Sequence, residues 1–190
     1  MTKWIAAVFT GWTLLMATAT YAQGLTGETV SRFIESMEEL QANEVFSSDF
    51  MAAWEASRQA ESAPTSLMLS EAVMFLQDRD GYATLETVVE NHGFRSPETW
   101  GAIGDRALLA LTRLDLADNI AGLQQKLVKM REDVNNNDRF SGEQKERMLG
   151  MIDNTEQMLD RVGDVPSEDL DAVRPHQSEL KQVLEYDPGK

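Results

Sequence analysis

From residue 116 onward, apolar side chains step by alternating four and three: Leu116, Ile120, Leu123, Leu127, Met130 and Val134. After a polar interval the step returns as Met148, Met151 or Ile152, Thr155, Met158 or Leu159, and Val162. A strand alternates with period two, so this spacing belongs to a helix with one apolar seam along its side. Two such seams joined by the seven residues Asn135 to Ser141 predict a long antiparallel helical hairpin over 116–162.

The rest of the chain carries the same signature in shorter pieces. Thr26 is placed to cap a helix whose inward side is Val30, Phe33, Ile34, Met37 and Leu40. Ala63-Pro64-Thr65-Ser66 is a break, because proline biases its predecessor away from helical angles. A dense apolar run from Leu67 to Leu76 predicts a deeply buried helix, and Asp78-Arg79-Asp80-Gly81 a turn. Leu85, Val88 and Val89 mark the next helix, and Trp100 to Leu116 the one after it. Pro166 and Pro175 then frame two short helical pieces. No strand run or Gly-rich loop interrupts, and aromatics make up only 7%. The expected fold is therefore all-α: about seven helices in a compact bundle ending in the hairpin.

Residues 1–22 read as an export signal. Lys3 precedes the mostly apolar Ile5 to Met16, and Thr20-Tyr21-Ala22 offers small residues at the cleavage positions. The apolar run is short for a membrane span, which needs roughly 20 residues. A cleaved, exported (periplasmic or secreted) protein without stable membrane insertion is expected. A single helical domain over 23–186 follows: N-terminal helices to 115, the hairpin to 162, short helices to 186 and a tail over 187–190.

The net charge is −15, and removing the leader takes away one lysine and no acid. Such a field repels nucleic acid and anionic lipid, which argues against either as a main partner. With no cysteine, disulfides and thiolate chemistry are excluded, and packing must supply the stability.

Residues 91–108, NHGFRSPETWGAIGDRAL, are the densest in chemistry-bearing side chains. His92, Asp105 and Arg106 form a possible polar corner. Local structure accounts for the same letters. Gly93 suits a helix stop with Phe94 folding back on it, Ser96 a cap, and Pro97 a first helical position. Gly101 and Gly104 allow a second backbone to approach closely. The expectation is a corner between two helices.

Asp133, Asn135, Asn137 and Ser141 occupy loop positions that a calcium-binding EF-hand would use, so weak calcium is a candidate. Asp138 stands where that loop wants glycine, and Gln144 where it wants a bidentate glutamate. A polar turn with Ser141 and Gln144 as a capping box gives the same letters. Met130, Met148, Met151 and Met158 carry thioethers that Cu(I) accepts, yet they hold seam positions where methionine is ordinary filler, and they are assigned to the core. With only two histidines, His92 and His176, and no nucleophile elbow or phosphate loop, the chain is not read as an enzyme and no cofactor is expected.

Two resemblances follow from particular motifs. Leu25-Thr26, His92-Gly93-Phe94-x-Ser96-Pro97-Glu98-x-Trp100, Gly104-Asp105-Arg106 and Asp169-Leu170-x-Ala172-Val173-Arg174-Pro175-His176 resemble small uncharacterised exported helical proteins of proteobacteria. Leu25-Thr26-Gly27-Glu28-Thr29 and Phe140-Ser141-Gly142-Glu143-Gln144 are similar to the Leu-Thr-x-x-Gln motifs of Spy-like periplasmic chaperones, with Thr29 in place of the glutamine and Phe140-Ser141 in place of Leu-Thr. That likeness implies an all-helical protein that holds a protein client. The functional expectation is a non-enzymatic interaction module, chaperone-like or accessory, using Phe46, Phe50 and Trp54 as an exposed apolar patch. The alternative is low-affinity divalent-ion binding at 133–144.

Overall fold

Thr26 opens the first helix as its spacing required: its hydroxyl accepts the Thr29 N–H at 3.2 Å. The structure, a computed structural model, describes residues 25–60 and 69–184. The proposed signal, the Pro64 break and the tail lie outside the described residues. All regular structure among the described residues is helical. The elements are α1 (Gly27–Ala42), α2 (Ser48–Ala60), α3 (Leu69–Leu76), α4 (Tyr82–Asn91), α5 (Pro97–Leu116), α6 (Ile120–Asn136), α7 (Gly142–Gly163), α8 (Ser167–Val173) and α9 (Gln177–Val183). These exceed the roughly seven expected, and the two short pieces framed by Pro166 and Pro175 are α8 and α9, divided by a 3-10 turn at Arg174–His176.

The main core gathers around α5. Trp100, Ala107, Ala110 and Leu111 are fully buried there, between α3 and α4 on one hand and α1 and α8 on the other. On α1, Val30, Phe33, Ile34, Met37 and Leu40 are all buried, as the stripe predicts. Removing those five from water is worth about 10 kcal/mol as an upper bound. The end of the chain closes over α1: Leu180 and Val183 join the same core, and Gln41 donates its amide to the Val183 carbonyl at 2.7 Å.

α3 is less enclosed than its composition suggests. Ala72, Val73 and Leu76 are buried, whereas Met74 is 61% exposed and Phe75 lies under the Arg79 guanidinium, 3.8 Å from the ring centroid. Eight residues make about two turns, so only one side of this helix can face α5.

A second, smaller apolar cluster lies between α6 and α7, built from Leu127, Val134, Ile152 and Leu159. The chain leaves α5 for this pair through Ala117, whose φ of 31° is unusual for a residue with a Cβ. Arg113 holds that bend by donating to the Ala117 carbonyl at 2.9 Å.

Candidate functional site

The corner between α4 and α5 is built from backbone hydrogen bonds. Gly93 has φ 79°, its N–H reaches the Glu90 carbonyl, and the Phe94 N–H reaches the Val89 carbonyl, both at 2.9 Å. This paired pattern satisfies two carbonyls that the end of α4 would leave open. Phe94 is buried against the helix it terminates, and the Ser96 hydroxyl accepts the Thr99 N–H at the start of α5.

His92, Asp105 and Arg106 do not meet, which corrects the polar-corner candidate. Each is drawn to a different element. His92 Nε2 lies 2.9 Å from a Glu39 carboxylate oxygen, and its Nδ1 3.8 Å from Glu35, both on α1. Arg106 grips α8, donating from Nε at 3.0 Å and from Nη2 at 2.6 Å to the two oxygens of the buried Asp169. Asp105 turns to α3. Its Oδ1 accepts the Leu69 N–H at 2.5 Å and the Ser70 N–H at 3.3 Å, and its Oδ2 accepts from the Ser70 hydroxyl. It thus caps the start of a helix 35 residues away in sequence. Burial pushes the Asp105 carboxyl above the usual aspartate range, with the Ser70 and Leu69 hydrogen bonds opposing the rise.

Two glycines make that approach possible. A Cβ on Gly101 would stand 3.0 Å from the Ser70 Cα, and one on Gly104 would stand 2.5 Å from Leu69 Cδ1 and 2.8 Å from the Phe33 ring. Beneath them the Trp100 indole donates to the Ser36 hydroxyl at 2.8 Å, and that hydroxyl donates to the Phe33 carbonyl at 2.7 Å. His92, Asp105, Arg106 and Trp100 thus each have a structural partner on another helix.

The proposed aromatic patch is likewise turned inward, which corrects the expected exposure. Trp54 is buried, and Phe46 and Phe50 are partly buried against the main core. Phe46 lies in the turn before α2, stacked on Trp100 with centroids 6.0 Å apart. Phe50 meets Phe46 at 5.5 Å, Phe75 at 5.6 Å and Trp54 at 6.4 Å. Spacing by four aligned these rings as read from the sequence, but the buried Trp100 gave Phe46 a ring to stack on and Phe75 gave one to Phe50.

At 133–144 the Asn137 and Ser141 side chains and the Asn135 carbonyl are engaged locally. α6 continues to Asn136, so Asp133 and Asn135 are helical. The Asn137 side-chain oxygen accepts the Arg139 N–H at 3.0 Å, and the Asn135 carbonyl accepts from the Lys145 ammonium at 2.8 Å. Ser141 and Gln144 form the reciprocal capping box at the start of α7. Among the described residues, no three histidine or acidic side chains come together as a metal site.

The methionines are where the sequence reading most needs correction. Met130, Met151 and Met158 are 50%, 70% and 41% exposed. Only Met148 packs against the α6–α7 cluster. Where the spacing left a choice, the seam takes Ile152 over Met151 and Leu159 over Met158. Each displaced methionine stands one residue, about 100°, off the seam. On the opposite flank Arg131 ties the helices together, donating at 2.6 Å to Asp153 and at 2.7 Å to Glu156. Those hydrogen bonds hold its guanidinium above even its usual high pKa. The α6–α7 pair therefore carries Met130, Met151 and Met158 on the side away from these ion pairs, exposed among polar and charged neighbours such as Lys126 and Asp133.

No protein-family model, curated protein or solved structure matches this chain. Its functional reading therefore rests on its own residues, among which the exposed Met130, Met151 and Met158 share one side of α6 and α7.

Proposed function

We propose that this is an exported, non-enzymatic helical protein that acts through surface contacts, as a chaperone-like or accessory module. In this reading α6 and α7 form an antiparallel hairpin, and its methionine flank engages apolar segments of a protein client. The observation that carries it is the exposure of Met130, Met151 and Met158 on one arm of a chain that has buried its other large apolar stripes. Methionine suits such work, because an unbranched, polarisable side chain adapts to partners of varied shape.

The magnitude fits transient capture. The exposed fractions amount to about one and a half methionine side chains, so covering them gains roughly 2–5 kcal/mol. Association costs about 4–15 kcal/mol, so the flank alone does not hold a client, and weak, reversible capture needs further contacts beside it. The test is suppression of aggregation of a heat-denatured model protein by the chain and by a Met130→Gln, Met151→Gln, Met158→Gln variant. The wild type should protect and the variant should not, while its stability stays within about 0.5 kcal/mol of wild type per substitution, as surface changes do. Equal protection by both would remove the methionine flank from the function. Amino-terminal sequencing of chain recovered from the cell envelope tests export, and an intact Met1 there would refute cleavage.

A further inference from the structure

We propose that the Met130, Met151 and Met158 flank also pairs with the same flank of a second copy of this chain, forming a weak twofold four-helix bundle. This rests on the reading above that the flank is a contact surface, and a second copy seated there would compete with a client. Three features point to it.

The first is continuity. Met151 and Met158 are seven residues apart, two turns along one side of α7, and Val162 continues that side. Val162 is fully buried at the end where α7 meets α5. The same stripe is thus covered at its base and open further along. Met130 shares this side of the pair, since Arg131 beside it is committed to the opposite flank.

The second is an incomplete core. Among the described residues, the cluster between the two helices buries Leu127, Val134, Ile152 and Leu159, with Leu116, Leu123, Met148 and Leu149 packed against them only partly buried. A second helical pair laid on the open flank makes the four-helix arrangement in which such seams are normally enclosed. A twofold axis places the flank against itself, so the one surface supplies both sides of the interface.

The third is charge. Residues 120–163 hold seven basic and eight acidic side chains, whereas the rest of the chain holds ten basic and twenty-four acidic. Two copies approaching through the rest of the molecule repel one another. The arm is the region where they meet without that opposition.

Sedimentation velocity of the full chain, from about 10 to about 500 micromolar at low and high salt, tests this. The expected result is a reversible monomer–dimer equilibrium that shifts toward dimer as salt rises, because screening weakens the repulsion between the acidic remainders. The triple Met→Gln variant should raise the dissociation constant at least tenfold with unchanged helical circular dichroism. Met151→Glu, a single change at a 70% exposed site, should do the same by setting like charges near the axis. A chain that stays monomeric throughout overturns the proposal. So does a dimer that neither variant weakens, since association would then run through another surface. A monomer that still protects a client overturns the pairing and leaves the proposed function standing, whereas a dimer that protects nothing does the reverse.

Discussion

Replacing Asp105 with alanine removes the cap of α3 without touching α3 itself. The carboxylate accepts the Leu69 N–H at 2.5 Å, the Ser70 N–H at 3.3 Å and the Ser70 hydroxyl, and the residue is only 7% exposed. Loss of a helix cap costs about 1 kcal/mol, and hydrogen bonds to a charged acceptor contribute about 1.5–3 kcal/mol each where their donors are left buried. Part of this is offset, because the buried carboxylate is itself poorly solvated. A net loss of about 3 kcal/mol is expected for Asp105→Ala, lowering the thermal midpoint by roughly 6–12 °C for a chain of this size. Asp105→Asn keeps an oxygen for the two backbone donors and should lose about 1 kcal/mol. The pH dependence carries a sign. Because burial raises the folded carboxyl above its unfolded value, the folded chain holds this proton more tightly. The stabilisation from that proton is complete below the unfolded value near 3.9 and is lost as pH rises through the folded value. Protonated, Oδ2 can donate to the Ser70 hydroxyl while Oδ1 still accepts from the backbone. The wild-type advantage over Asp105→Asn should therefore shrink from mildly acidic to neutral pH. Denaturant titrations of the three proteins at several pH values measure all of this. An alanine variant within 0.5 kcal/mol of wild type, or an advantage that grows with pH, would refute the assigned role.

Two further outcomes are expected. Gly104→Ala should destabilise by about 1–2 kcal/mol in denaturant titration. Its Cβ would sit 2.5 Å from Leu69 Cδ1 and 2.8 Å from the Phe33 ring, and that overpacking outweighs the roughly 1 kcal/mol gain in helix propensity. Millimolar calcium should leave the thermal midpoint unchanged, whereas a site filled at a hundred times its dissociation constant would add about 2.7 kcal/mol and restore 133–144 as a metal loop.

What was legible in the sequence was local. The Gly93 stop, the Ser96 cap, the Ser141 and Gln144 capping box and the α1 stripe depend on neighbours within a few residues, and spacing reports those neighbours. The close approach at Gly101 and Gly104 was legible as well, though not the identity of the helix that approaches. The partners of His92, Asp105 and Arg106 were not, because they come from α1, α3 and α8. Adjacent helix positions point about 100° apart, so Asp105 and Arg106 face different neighbours despite touching in sequence. The methionines misled for a related reason. A pattern of apolar letters cannot separate a seam position from the one beside it when both are apolar, as at Met151-Ile152 and Met158-Leu159. β-Branched and compact branched side chains took the interior, and the flexible thioethers were left outside. The exposure expected of Phe46, Phe50 and Trp54 failed because it depended on rings remote in sequence, Trp100 for Phe46 and Phe75 for Phe50.

The remote cap on α3 also bears on the order in which the molecule assembles. A helix whose starting signal lies 35 residues downstream cannot be held in place while the ribosome is still making it. Nor can α1 seal its apolar side before Leu180 and Val183 exist. The nascent chain must keep its early segments unsettled until α9 has been made, and a cut that removes α9 should loosen the first helix as well as the last.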